Sequence, residues 1–79
     1  MSESEKKIIA NDADMIVRGF AFKRKGNRIS VVNLNQNTPH AMLMAENGMV
    51  LESSMDPIEQ VIVLEIWKND AEFMEAANA

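Results

Sequence analysis

No cysteine occurs among the 79 residues. That absence removes disulfides, thiolate metal sites and thiol chemistry together. A secreted domain of this size usually needs such cross-links. The expectation is therefore a cytoplasmic protein, with association to a partner as the substitute staple. Long hydrophobic runs are missing too. Unbroken apolar runs are short, Val61 to Leu64 among them, whereas a membrane helix needs about 20 apolar residues. The opening MSESEKK is polar and lacks the apolar stretch of a signal peptide. A soluble protein with no membrane association is expected.

Residues that carry chemistry are equally sparse. The single histidine, His40, has no cysteine and no spaced carboxylate around it in sequence, so it makes a poor metal site. A general base would also need a nucleophile or an orienting acid nearby. Gly19, Gly26 and Gly48 lack the spacing of a phosphate-cradling loop, and Ser30, Ser53 and Ser54 sit in no nucleophile motif. Asp12-Ala13-Asp14 lacks the acidic and glycine positions that follow in a calcium loop, so it reads as a turn or cap. No enzyme, cofactor or metal is expected.

What is present suits one small globular domain. The composition, 47% apolar and 25% charged, is that of a folded chain. A chain this short buries only about 60% of its unfolded surface, so its core is marginal. Residues 1–7 are read as a frayed end. Lys7 to Ala10 suits either a short strand or one helical turn. Residues 15–24 read as one strand with Ile16, Phe20 and Phe22 on one side and Met15, Val17, Gly19 and Ala21 on the other. Residues 28–34 form the next strand. Gly26-Asn27 between them suits a type II′ turn, which places Phe22 opposite Val31 and Ala21 opposite Val32. Residues 40–45 and 49–53 make a second hairpin around Asn47-Gly48. A type I′ turn there sets Met44 opposite Leu51 and Ala45 opposite Val50. Because HAMLMA lacks β-branched residues, a helix over 40–46 remains a weaker alternative.

The most specific local signal is DPIE, residues 56–59. Asp56 suits the N-cap, Pro57 the first helical position and Glu59 the capping-box acid. The helix is expected to run from Pro57 to about Ala76. Its apolar arc takes in Ile62, Val63, Ile66, Trp67, Ala71, Phe73 and Met74, which is wider than the roughly 100° stripe of an ordinary surface helix. Such a helix either sinks deep into the sheet or meets another chain. Met42, Met44, Met49 and Met55 read as core, with an apolar contact patch as the alternative. Trp67 reads as a core residue, with an interface anchor as its alternative. The expected architecture is an α+β domain: a four-stranded antiparallel meander packed against one C-terminal helix.

Charge is unevenly placed. Residues 1–45 carry a net charge of +3 and residues 46–79 one of −7, giving −4 overall. Four of the six residues in KRKGNR, namely Lys23, Arg24, Lys25 and Arg28, are basic. A solvated hairpin tip is the plain reading; a phosphate-gripping ribbon is the functional one. The acids of the last helix likewise read as a solvated face or as a docking surface made of Glu65, Asp70, Glu72 and Glu75, with Lys68 among them.

The sequence thus points first to a non-catalytic protein-binding module. This would be a small acidic inhibitor or adaptor that docks on a basic surface of a partner protein. By analogy of size and charge alone, phage and mobile-element inhibitors of nucleic-acid-binding defence complexes are of this kind. A nucleic-acid-binding module using the 23–28 tip is the alternative, although a sequence pI near 4.8 is far from basic. A homodimer is the third.

Overall fold

The computed structural model describes residues 2–38 and 40–77, without the side chains of 75–77. In chain order the elements are α1 (Glu3–Asp12), β1 (Met15–Val17), β2 (Phe20–Lys25), β3 (Arg28–Asn33), β4 (Ala41–Ala45), β5 (Val50–Ser53) and α2 (Pro57–Ala77). The strands form one antiparallel sheet whose spatial order is the chain order. The α+β class is as expected. The sheet has five strands rather than four, and a second helix precedes it.

The extra strand comes from a turn inside the segment read as one strand. Arg18 and Gly19 both take positive φ, 53° and 79°, as a type I′ turn requires. Val17 therefore pairs back on Phe20 and Met15 on Phe22. The fold-back exchanges faces: Met15 and Val17 pack against the core, while Ile16 is exposed. Asn35 locks the turn. Its side-chain amide donates to the Arg18 carbonyl at 3.0 Å, and the Leu34 amide donates to the Gly19 carbonyl at 2.8 Å. A Cβ on Gly19 would lie 2.4 Å from Asn35 Oδ1. Gly19→Ala is expected to lose roughly 2–3 kcal/mol, from left-handed strain and the displaced Asn35 hydrogen bond. Urea denaturation checks it, and a loss below the strain contribution alone would refute the turn.

The first expected hairpin holds. Gly26 is at φ +65°, and Lys25 pairs with Arg28, Phe22 with Val31 and Ala21 with Val32. The second hairpin differs. Gly48 alone is left-handed, at φ +90°; Asn47 is not. The Gly48 amide donates to the Ala45 carbonyl and the Ala45 amide to the Met49 carbonyl. The connection is thus a three-residue loop ending in a left-handed glycine. It shifts the pairing by one, so that Met44 meets Val50 rather than Leu51. An irregularity at Leu51 restores the register, and Leu43 pairs with Glu52 and Met42 with Ser53. Such a bulge also blunts β5, an edge strand, against further pairing.

Of HAMLMA, Ala41–Ala45 is a strand and not a helix, with Met42 and Met44 fully buried on alternate positions. On the same sheet face lie Phe20, Phe22, Ile29 and Val31, and α2 covers them with Val63, Ile66, Trp67 and Met74. Met55 completes this core, whereas Met49 is exposed. Trp67 stacks on Phe22 with ring centroids 6.1 Å apart, and its indole N–H donates to the Glu46 carbonyl at 2.8 Å.

On the opposite face runs α1. Residues 3–7, read as part of a frayed end, are helical, and so are Lys7 to Ala10. Ser2 caps the helix by accepting the Glu5 amide at 3.2 Å. No side chain of α1 is fully buried. Among the described residues no helix is long and apolar enough to cross a membrane.

Candidate functional site

Polar side chains gather in three places. The first is buried where β3 ends, β4 begins and α2 starts. Asp56 and Glu59 form the expected reciprocal cap: the Glu59 amide donates to Asp56 Oδ1 at 2.8 Å and the Asp56 amide to Glu59 Oε1 at 3.2 Å. The sequence did not indicate what else reaches Glu59. Its side chain is only 8% exposed. Oε2 accepts from Asn33 Nδ2 at 2.7 Å, and Oε1 lies 2.6 Å from His40 Nδ1. Asn33 is itself held, its Oδ1 accepting the Asn35 amide. Burial alone would raise the Glu59 pKa. The hydrogen bonds from Asn33, His40 and the Asp56 backbone, with the charge of His40, outweigh burial and bring the pKa from 4.5 down to about 2.

His40 therefore does meet a carboxylate, one distant in sequence. A carboxylate held this acidic is a weak proton acceptor near neutral pH, and its oxygens are occupied by cap, amide and imidazole. The nearby serine hydroxyls serve the backbone: Ser54 Oγ bridges the Ala41 amide and carbonyl, and Ser53 Oγ accepts the Met55 amide. The cluster is a clasp that fastens the helix start to the sheet.

The second group is the basic hairpin. The pleat divides it: Lys23, Lys25 and Arg28 lie on the α1 face, and Arg24 on the core face beside Ile29. Lys23 is 3.8 Å from Asp12 and 3.7 Å from Asp14, and Arg24 pairs with Glu46. Asp14 also accepts the Arg24 amide at 2.8 Å, which accounts for the Asp-x-Asp stretch as a turn. The four cations thus do not form one patch. Lys25 and Arg28 remain exposed, and among the described residues neither makes an ion pair.

The third group is the outward side of α2. Glu65, Lys68 and Glu72 are exposed there, separated by helical spacing. Asp70 stands apart from them, half-buried toward the core side. The side chain of Glu75 lies outside the described residues. Three large apolar side chains share the outward stripe: Ile58 at 72% exposure, Val61 at 64% and Phe73 at 62%. The wide arc in the sequence thus divides. One part fills the core through Val63, Ile66, Trp67 and Met74, Ile62 and Ala71 pack half-buried against it, and Phe73 is left in water.

No curated protein and no solved structure matches the chain. One family model does match, over residues 3–74, which takes in both helices' packed parts and all five strands, and the chain belongs to that family, a family of unknown function (DUF7723).

Proposed function

We propose that the protein is a non-catalytic binding module that docks through the outward face of α2 on a partner protein with a basic surface. The observation that carries this reading is the exposure of Ile58, Val61 and Phe73 beside Glu65 and Glu72. Large apolar side chains left mostly exposed together on one face, as Ile58 and Val61 are one helical turn apart, mark contact surfaces. Flanking acids add steering and suppress wrong partners. Lys68 sits within the stripe and leaves it mixed rather than uniformly acidic, which suits a partner surface with an apolar centre and a basic rim. An inhibitor or adaptor acts in this way, by occupying a surface rather than by making bonds.

Two variants test the reading. Val61→Ser with Ile58→Ser removes the apolar part, and Glu65→Lys with Glu72→Lys reverses the charge. Both sites are exposed, so stability is expected to stay within about 0.5 kcal/mol. Against a partner captured from the native cell, the serine pair is expected to weaken binding about tenfold or more. The lysine pair is expected to slow association and flatten its salt dependence. Unchanged affinity and unchanged salt dependence in both variants would refute the reading. Sedimentation of the free protein provides the homodimer outcome: self-association abolished by the serine pair would identify the partner as a second copy.

A further inference from the structure

The middle of α1 stands off the sheet. Its ends are tied by polar contacts: Lys6 Nζ donates to Asn37 Oδ1 at 3.0 Å near the start, and Asp12 faces Lys23 at the end. Between these ties lies a half-open groove of about 320 Å³. Its floor is made of small or short side chains, Ala21, Ser30 and Val32, and its roof of Ile8 and Ile9. Ile8 is 68% exposed although it hangs over this apolar floor. A ten-residue helix that buries no side chain gains little from packing and is marginal by itself. Filling the groove would bury both isoleucines and consolidate α1.

The mouth of the groove has a definite charge. Lys25 lines it, and Arg28 is its direct cross-strand partner. Like charges set opposite each other are unfavourable, and neither is neutralised by an ion pair among the described residues. Lys23, also in the lining, is balanced by Asp12 and Asp14. An anion at the mouth would relieve the Lys25–Arg28 repulsion. The volume is at the lower limit of small-ligand pockets, which start near 300 Å³, and so admits one short chain rather than a two-chain lipid.

We propose that the groove between α1 and the sheet binds a small free carboxylate with an apolar tail. The head lies between Lys25 and Arg28, and the tail lies under Ile8 and Ile9. This site is on the sheet face opposite α2 and does not depend on the docking surface described above.

The probe is decanoate, with decyltrimethylammonium as the same tail bearing the opposite charge. Amide chemical shifts of the full chain report the site. Decanoate is expected to give saturable shifts at Ile8, Ile9, Ala21 and Val32 and to raise Tm with concentration. The cationic probe is expected to do neither. The exposed double variant Lys25→Gln, Arg28→Gln is expected to fold normally and to bind decanoate about tenfold more weakly. Ser30→Leu fills the floor and is expected to abolish the shifts while circular dichroism stays native. Any of three results would overturn the proposal: no saturable shifts in the native chain, equal binding of the cation, or undiminished binding in the double variant. A response to phosphatidylglycerol vesicles with none to decanoate would overturn it as well, and would assign the cations to a lipid surface.

Discussion

Glu59→Ala is expected to destabilise the protein by about 3–5 kcal/mol, the cost of breaking a buried charged cluster by removing one partner. The carboxylate accepts from Asn33, from the Asp56 amide and from the His40 side. Without it, the nearly buried Asn33 keeps a donor that water does not easily reach. The reciprocal half of the capping box, in which Glu59 accepts the Asp56 amide, goes at the same time, while the Asp56 cap itself stays. For 79 residues the whole folding free energy is only roughly 4–12 kcal/mol, so this one truncation removes a large share. Denaturation followed by the fluorescence of Trp67, the one tryptophan, measures it. A loss below about 1 kcal/mol, the scale of a surface cap, would show that the clasp contributes nothing beyond capping.

The same residue sets an acid response. Its pKa falls from 4.5 to about 2 on folding. A carboxylate whose pKa is lowered by folding contributes stability that is present above its unfolded value and lost as pH falls through the folded one. The native chain should therefore lose this contribution between about pH 4.5 and pH 2. Glu59→Gln keeps the size and one acceptor but cannot ionise. It is expected to start less stable at neutral pH and to fall less steeply across that window. Parallel pH profiles of the two proteins would contradict the assignment.

Trp67→Ala carries the second large effect, about 3–5 kcal/mol for emptying a large buried site. The indole stacks on Phe22 and donates to the Glu46 carbonyl. It thereby joins α2 to the loop of the second hairpin, where Glu46 also pairs with Arg24. Trp67→Phe separates the contributions. It keeps most of the apolar contact and leaves the Glu46 carbonyl without its indole donor, for an expected loss of about 1–2 kcal/mol. Circular dichroism in urea reads both. If Trp67→Phe proved as damaging as Trp67→Ala, the hydrogen bond rather than the packing would be the stronger tie.

Local chemistry was legible wherever one residue type has one conformational use. Asp56-Pro57-Ile58-Glu59 named the start of α2, and Gly26-Asn27 named a two-residue turn with its register. The Arg18-Gly19 turn is not legible in the sequence, because arginine rarely enters a left-handed conformation and the alternation on either side continues without a break. Asn47-Gly48 does not fix the register for a related reason: a left-handed glycine serves both a two-residue and a three-residue loop, and their pairings differ by one. The Ser2-Glu3-Ser4-Glu5 tetrad has the spacing of a capping box and would have indicated α1.

Of the candidate site, the charged stripe on α2 was readable from the 3.6-residue period as far as Glu65, Lys68 and Glu72. Composition and periodicity by themselves determined the α+β class, the meander, the C-terminal helix and the uneven placement of charge, since these depend on neighbours along the chain. Tertiary structure alone decided that Glu59 meets His40 and Asn33, that the basic tip divides between two faces, that Ile58, Val61 and Phe73 stay in water and that α1 roofs a groove. Each of those depends on which side of a sheet or helix packs against a distant segment. That choice is set by summed burial over the whole domain, which no local pattern encodes.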